Sequence, residues 1–457
     1  MKELLKQVLE RVVPSAEEKK SEAELAKKIM QQIKGMEGKH IDVVWAGSSA
    51  RDTHLKGDRD LDIFVLFPQK LSREEFEKEG LRIGKQVFKG HEWEEAYSEH
   101  PYVRGMIYGF EVEIVPSYKI SDASKKMSSV DRSVFHQRYL KKRLSEKQKN
   151  EIRLLRQFLK GIDAYGAEIK TGSVPGYVVE LLILKYKTFA NAIKAIAKFS
   201  FGQVIDIENH LQKKEAREKF QKHLVIIDPV DKNRNVAAAL SVEQFNRLVA
   251  AANAFLKKPS MKFFFPERIT PLPMQKVLEI LKKKELIGLE IGYPKGALAD
   301  VIWGEIKRLR EKISKALEVH DFKVDSSAEW TDEKNNIIFL FELESLQLQK
   351  AVKRIGPPVE MKEHSEKFLK AHKKPLSGPR IEKGRWVLET EREFTSAEKF
   401  LAGYAKKIVS QEKPDMKKAI QQKAVVLHEK NLEKLYKKSP EFQEFFTRYL
   451  RGKEGFL

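Results

Sequence analysis

Residues 47–67 read GSSARDTHLKGDRDLDIFVLF. The run opens on small residues, passes Arg51, and closes in DLDIFVLF, where apolar, strand-forming residues surround two acids at alternate positions. Side chains alternate faces along a strand, so Asp60 and Asp62 emerge on one side while Leu61 and Ile63 turn to the other. Two carboxylates a few ångströms apart repel, and unless a cation sits between them one takes up a proton. The pattern points to Mg²⁺, which prefers oxygen ligands and keeps room for substrate phosphates. An Asp-x-Asp by itself is also what two solvated acids at a strand end look like, so the surrounding chain has to decide.

Just upstream, Ile41–Trp45 reads as a short strand and Gly47-Ser48-Ser49 as a turn into a helical segment starting near Ala50. A strand, a small-residue turn and a helix N-terminus form a seat for phosphate, because unpaired N–H groups point at the ligand. Residues 2–13 and 15–34 read as helices split by Pro14, the second opened by the capping box Ser15-Ala-Glu-Glu18. Downstream, residues 71–90 look helical. Phe110-Glu111-Val112-Glu113-Ile114-Val115 then alternates as another strand, which Pro116 is expected to end. Glu111 and Glu113 share its polar face and offer a third carboxylate to the pair.

The next stretch is read as mostly helical. A capping box at Ser145–Gln148 starts a helix that buries Ile152, Leu155, Leu159 and Ile162 and is expected to end near Gly166. Helical patterns continue over 177–189 and 242–256, and Ile226–Ala237 reads as a turn feeding a helix that begins near Asn235. Pro266, Pro271 and Pro273 mark a boundary. Beyond it, residues 286–293, 299–319, 322–331 and 337–343 spell strand, helix, strand, strand, with 346–355 as a candidate following helix. That order suggests a ferredoxin-like or RNA-recognition-like unit. Its helix carries the apolar stripe Ile302, Ile306, Leu309, Ile313 and Leu317. Trp386 falls on a further strand, and 396–408 and 414–450 read as lysine-rich helices. Phe263-Phe264-Phe265 is read as core.

The chain has 457 residues, long enough for about three domains. Lys and Arg number 87 against 66 Asp and Glu, a net charge of +21. Heat adaptation enriches both signs, so an imbalance of this size favours a polyanionic partner, nucleic acid first. With no cysteine, disulfides, thiolate metal sites and cysteine nucleophiles are excluded. The longest apolar stretch, Val178–Leu184, contains Glu180 and falls far short of the ~20 residues that span a bilayer. The amphipathic N-terminal segment lacks a signal-type apolar centre, so a soluble, cytoplasmic protein is expected.

Gly47-Ser48-x-Ala50-Arg51-x-Thr53-x-Leu55-Lys56-Gly57 followed by Asp60-x-Asp62-Ile63-Phe64 resembles the polymerase-β-type nucleotidyltransferase motif. Further stretches are similar to the archaeal-type (class I) CCA-adding tRNA nucleotidyltransferases. They are Glu99-His100-Pro101-Tyr102-Val103, Val115-Pro116-x-Tyr118-Lys119 and Val130-Asp131-Arg132-Ser133-x-Phe135-His136. Tyr165-Gly166-Ala167-Glu168, Gly176-Tyr177-x-x-Glu180-Leu181-Leu182, and Asp228-Pro229-Val230-Asp231 with Arg234-Asn235-Val236-Ala237-Ala238 follow in the same order. The likeness is close to about residue 265 and looser after it.

The resemblance implies a multidomain α+β protein. Residues 1–140 would be a polymerase-β-type head of sheet and helices, and 141–265 a mostly helical nucleotide-recognition domain. Residues 266–390 would be an α/β RNA-binding tail, and 391–457 C-terminal helices. It implies template-independent addition of CCA to the tRNA 3′ end from CTP and ATP, with release of pyrophosphate. By position, Asp60, Asp62 and Glu113 would hold two Mg²⁺ and carry catalysis. Ser48, Arg51, His136, Arg156 and Tyr165 would meet the triphosphate, and Arg234 the incoming base. The partners implied are tRNA, through its acceptor stem and elbow, CTP and ATP, no membrane, and a second copy in a homodimer. Two positions depart from the family pattern: Glu113 stands where Asp is usual, and Arg156 where Lys is usual. Two other readings share the core motif, a poly(A)- or oligoadenylate-forming transferase and an RNA-binding protein with weakened catalysis.

Overall fold

A computed structural model of the protein describes residues 1–37, 41–97, 99–166, 170–296 and 299–456. Ala167 and Glu168, part of one motif quoted above, lie outside them. The chain divides into two units, Met1–Glu267 with Glu454–Leu457, and Arg268–Lys453.

In the first unit, Lys2–Val12 (α1) and Ala16–Glu37 (α2) lead to Asp42–Ala46 (β1), a single helical turn Gly47–Ala50 (α3) and Asp60–Phe67 (β2). Arg73–Val87 (α4), Trp93–Tyr97 (β3), Pro101–Ile107 (β4) and Phe110–Tyr118 (β5) complete a sheet in the order β1-β2-β5-β4-β3. Only β2 and β5 run parallel. Leu61, Ile63, Val65 and Phe67 face a core closed by Leu25, Ile29 and Ile33 of α2 and Phe76 and Ile83 of α4. The opposite parity of β2 carries Asp60, Asp62, Phe64 and Leu66. Its far end is covered by Val134, while the acids stay at the open end.

Pro116 does not end its strand: β5 runs on to Tyr118. The Glu111 N–H donates to Arg59 O and the Lys119 N–H to Phe67 O, so odd-numbered residues of β5 bond toward β2. The N–H that proline lacks would point to the other neighbour, and the pairing with β4 has already stopped at Val103–Ile114.

Arg132–Arg143 (α5), Glu146–Gly161 (α6), Gly176–Tyr186 (α7), Phe189–Ile196 (α8), Lys213–Phe220 (α9) and Val242–Lys257 (α10) form the mostly helical remainder of this unit. A small sheet, Gln203–Ile205 (β6), Leu224–Asp228 (β7) and Asp231–Asn235 (β8), is set among them. α1 packs here rather than on the head sheet, with Val8 and Val12 in one core with Ile152, Leu155, Leu182 and Phe255. Its apolar stripe was legible; which layer it covers was not. Phe263 and Phe264 are core, as read from the sequence. α6 ends at Gly161, short of the expected Gly166, because Asp163 turns left-handed (φ 55°) and the Ala164 N–H reaches back to Leu159 O. Asn235 does not begin a helix but closes a hairpin. Its Oδ1 accepts from the Ile226 and Ala237 N–H groups, and its amide donates to Leu224 O.

The second unit begins with Met274–Leu281 (α11), Leu286–Gly292 (β9), Ala299–Val319 (α12), Val324–Thr331 (β10) and Asn336–Leu343 (β11). Then come Ala351–Pro358 (β12), Lys362–Ala371 (α13), Ser377–Glu382 (β13), Arg385–Glu391 (β14) and Ala397–Ile408 (α14). Pro414–Gln422 (α15), Ala424–Leu427 (β15), Glu429–Lys438 (α16) and Pro440–Arg451 (α17) finish it. The main sheet, β10-β11-β9-β15, is antiparallel throughout and has the ferredoxin-like order. The stripe from Ile302 to Leu317 is buried on one face, and Phe442 and Phe446 lie with Trp330 on the other.

Two local expectations fail in this unit. Residues 346–355 are not a helix: β12 alternates exposed and half-buried residues, and Gly356-Pro357-Pro358 cannot continue a helix. It pairs with β14, which pairs with β13, in a second small sheet inserted between β11 and α14. The strand completing the ferredoxin-like sheet, β15, lies inside the stretch 414–450 read as helical, and α14 and β15 both fall beyond residue 390.

Candidate active site

The parallel register of β2 and β5 sets Asp60 beside Glu111 and Asp62 beside Glu113. Neighbouring strands lie ~4.8 Å apart, so these acids share one small face. Burial, then repulsion from Asp60, pushes the Asp62 carboxyl up to about 6, against the pull of Arg51. Burial, then Asp62, pushes Glu113 up to about 7, with Arg104 opposing. Asp60 is also raised, first by burial and then by Asp58 and Glu111, while Lys160 and Arg156 pull it back. Glu113 accepts a 3.3 Å hydrogen bond from the Tyr102 hydroxyl.

Gly47 is where the turn and the acids meet. Its φ is 79°, and a Cβ there would stand 1.9 Å from Asp62 Oδ2. Both the left-handed backbone and the approach of the carboxylate require glycine. α3 is a single turn, not the extended helix expected from Ala50, so the dipole argument for a phosphate seat falls away. What remains is Ser48, half-buried, whose carbonyl accepts from the Thr53 N–H at 2.9 Å and whose hydroxyl has no partner among the described residues.

No three carboxylates or imidazoles among the described residues converge into a finished metal cage. The donor set nonetheless fits a hard divalent cation, being all oxygen, concentrated on two adjacent strands and held above the ordinary carboxylate range by burial and mutual repulsion.

α6 and α7 bring the cations. Arg156 is 3% exposed, has no ion-pair partner among the described residues, and leaves its Nε without a hydrogen bond. Its guanidinium lies 5.5 Å above the Tyr165 ring. Lys160 lies 5.6 Å from the same ring and pairs with Asp58 at 2.8 Å. A buried, unpaired guanidinium is costly unless an anion completes it, and it lies close enough to Asp60 to oppose the rise of that group's pKa. Gly176, opening α7, brings its backbone next to the Tyr165 hydroxyl and Arg156.

Arg51, expected at the triphosphate, has its fork occupied. It donates from Nε and Nη2 to Glu180 at 3.0 and 2.8 Å, and from Nη1 to Gln137. Glu180 is fully buried in the otherwise apolar stretch Val178–Leu184 and also accepts from the Thr53 hydroxyl at 2.7 Å. The charge inside Val178–Leu184 therefore has a structural purpose that sequence reading passed over: it fixes the loop after Ser48 from 129 residues away. Arg153, also buried, reinforces this by donating to His54 O and Asp52 O.

His136 and Arg234 form a second group. His136 Nε2 lies 2.9 Å from Asp228 Oδ2, and its ring stacks on Tyr177 at 4.0 Å. Arg234 Nη1 donates to the same Asp228 oxygen at 3.0 Å. Burial lowers the His136 pKa, with Asp228 opposing. α7 spans the whole arrangement, with Gly176 at Tyr165, Tyr177 at His136, and Glu180 at Arg51.

A polymerase-β-like sheet carrying paired acids in register with a third, and lined by buried cations from adjoining helices, defines a nucleotidyltransferase. Residues 24–136 match the nucleotidyltransferase domain, 150–265 the second domain of tRNA nucleotidyltransferase, and 291–429 the C-terminal domain of the CCA-adding enzyme. The CCA-adding enzyme of Methanosarcina mazei is 34% identical over 402 residues, covering 86% of this chain and 87% of that one. Those of Archaeoglobus fulgidus (34%, covering 89% and 90%) and Methanocaldococcus jannaschii (35%, covering 86% and 88%) are similar. The chain belongs to the archaeal CCA-adding enzymes, nucleotidyltransferases that complete the tRNA 3′ end. Among solved structures, the Cid1 poly(U) polymerase is similar at TM-score 0.46 and 14% identity, covering 56% of this chain and 94% of that one. Enzymes of this class use a divalent cation and nucleoside triphosphates. No helix among the described residues is long and apolar enough to cross a membrane.

Proposed function

We propose that the chain adds cytidylate and adenylate from CTP and ATP to the tRNA 3′ end, without a nucleic-acid template, by in-line attack of the 3′-hydroxyl on the α-phosphate. The observation that carries this reading is the register of Asp62 beside Glu113, with Asp60 on the same face. Asp60, Asp62 and Glu113 are the residues that would hold two Mg²⁺. When bound, these ions acidify the attacking hydroxyl and neutralise charge developing on the leaving oxygen.

The protein's own groups have the following parts. Glu113 assists removal of the proton from the primer 3′-oxygen. Its extra methylene relative to Asp is accommodated on β5, where Tyr102 holds one carboxylate oxygen. Ser48, Arg156, Tyr165 and His136 bind the triphosphate, the free Ser48 hydroxyl and the unpaired Arg156 fork being its strongest attractions. Arg51 contributes positive charge from its place on Glu180 and closes on phosphate only by exchanging that partner. Arg234 faces the base. Cytosine and adenine both offer an amino donor beside a ring-nitrogen acceptor, whereas uracil and guanine reverse the order. A fixed donor therefore discriminates by leaving wrong bases with unmatched buried groups.

Catalysis is assigned to residues 1–140, nucleotide recognition to 141–265, and grip on the tRNA acceptor stem and elbow to 266–390 and 391–457. A homodimer is the proposed assembly. The decisive assay supplies tRNA ending at the discriminator base with each nucleotide singly and in mixtures, then sequences the 3′ ends. The expected product is CCA and nothing longer. Long adenylate tails, or U and G incorporated as readily as C and A, would overturn the reading.

A further inference from the structure

The hairpin that carries Arg234 is built around a carboxylate with no part in the scheme above. Asp228, the last residue of β7, is fully buried, yet it is an acid rather than an apolar residue. Its Oδ2 takes the Arg234 Nη1–H at 3.0 Å and faces His136 Nε2 at 2.9 Å. Its Oδ1 accepts from the Tyr177 hydroxyl at 3.3 Å and from the Val230 N–H at 3.2 Å. Both oxygens are thus fixed, by groups from α5, α7 and the hairpin itself.

Among the described residues nothing else fixes Arg234. Its side chain is 34% exposed, and its remaining close polar neighbour is the His136 ring at 3.5 Å. A long arginine side chain samples many rotamers unless a partner holds it in one geometry. Left loose, it would offer its donors to either arrangement of a base edge. Held at one nitrogen by a rigid carboxylate, it keeps its plane, and its free donors keep one direction.

We propose that Asp228 is a positioning residue that fixes the Arg234 guanidinium and so decides which bases the site accepts. The inference rests on the reading that Arg234 faces the base. Asp231 provides a built-in contrast. It ties the same hairpin to α5 through a buried 3.1 Å pair with Arg132, and has no contact with Arg234.

The test is single-turnover incorporation of CTP, ATP, UTP and GTP on tRNA 3′ ends by the wild type, Asp228→Asn, Arg234→Ala, their double variant and Asp231→Asn. Loss of one charge-assisted hydrogen bond changes an equilibrium about tenfold. Asp228→Asn is therefore expected to narrow the preference for C over U, and for A over G, by about that factor. Arg234→Ala should narrow it as well, and the double variant should go no further than Arg234→Ala. Asp231→Asn is expected to lower thermal stability with the preference intact.

If Arg234→Ala changes the preference but Asp228→Asn slows all four nucleotides in proportion, Asp228 is merely structural and the inference fails while the base-reading role stands. An unchanged preference in Arg234→Ala overturns both. Should Asp228→Asn not fold, Tyr177→Phe removes one of the bonds that fix Asp228 without burying a new charge. A smaller narrowing of the same sign is then expected, and an unchanged preference overturns the inference.

Discussion

On β2 and β5, Asp60, Asp62, Glu111 and Glu113 face one another with little to neutralise them, whereas at the end of β7 Asp228 alone is met by His136, Arg234 and Tyr177. In the first region burial and mutual repulsion raise Asp62 and Glu113 toward neutrality. In the second, although burial opposes it, hydrogen bonding and charge from His136 hold Asp228 below the ordinary carboxylate range. A reacting centre has to leave charge unmet, so that a cation and a triphosphate complete it. A recognition centre has to be complete beforehand, because a donor that moves cannot discriminate. The pair Arg51–Glu180 belongs with the second kind: an ion pair closed on itself, 9% and 0% exposed.

The largest expected effect comes from breaking the open region. Asp62→Ala should abolish nucleotide transfer while leaving tRNA affinity, measured by filter binding, largely intact, because affinity comes from basic surface rather than from this acid. Retained transfer would remove Asp62 from the metal assignment.

Next in size is the closed region. Glu180→Ala leaves a buried, unpaired Arg51, and urea unfolding should show a loss of about 3–5 kcal/mol. Asp62→Asn should do the opposite in the ligand-free protein. Removing a repelling acid should raise the unfolding midpoint near neutral pH even as activity disappears. If both substitutions destabilise alike, the contrast between the regions is wrong.

The smallest effect is a pH slope. Asp62 and Glu113 titrate at about 6 and about 7 in the folded protein, above their ordinary 3.8 and 4.5. The folded state therefore binds protons more tightly than the unfolded state. The stability these groups contribute is complete below their ordinary values and is lost as pH rises through 6 and 7. Thermal melts of the ligand-free protein should show this contribution declining between about pH 4 and pH 7. Asp62→Asn, or saturating Mg²⁺, should flatten the slope, and a wild-type slope that survives both would place its origin elsewhere.

Local signals were legible where the chain's own neighbours decide the structure. The alternation of DLDIFVLF made β2, Ser15 and Glu18 cap α2, and the stripe from Ile302 to Leu317 is the buried face of α12. They failed where a distant partner decides. Pro116 stays inside β5 because the pairing with β4 stops at Ile114, and Ala424–Leu427 leaves a helical setting because β9 offers an open edge. Within the site, the shared face of Asp60 and Asp62 could be read from spacing, which left Glu111 and Glu113 both open as a third acid, and only the family resemblance favoured Glu113. The commitment of Arg51 could not be read, because Glu180 lies 129 residues away.

The sequence by itself determined the ingredients: two acids on one strand face, two more on another strand, glycine and serine at the turn, a large excess of positive charge, and motifs whose order matches one family. Only the tertiary structure decided that Asp62 and Glu113 stand side by side, that Gly47 is glycine to admit a carboxylate, and that Asp228 holds Arg234. Periodicity and capping act between residues a few positions apart, so they are written in order along the chain. Register and ion pairing act through space between elements whose meeting no local pattern specifies.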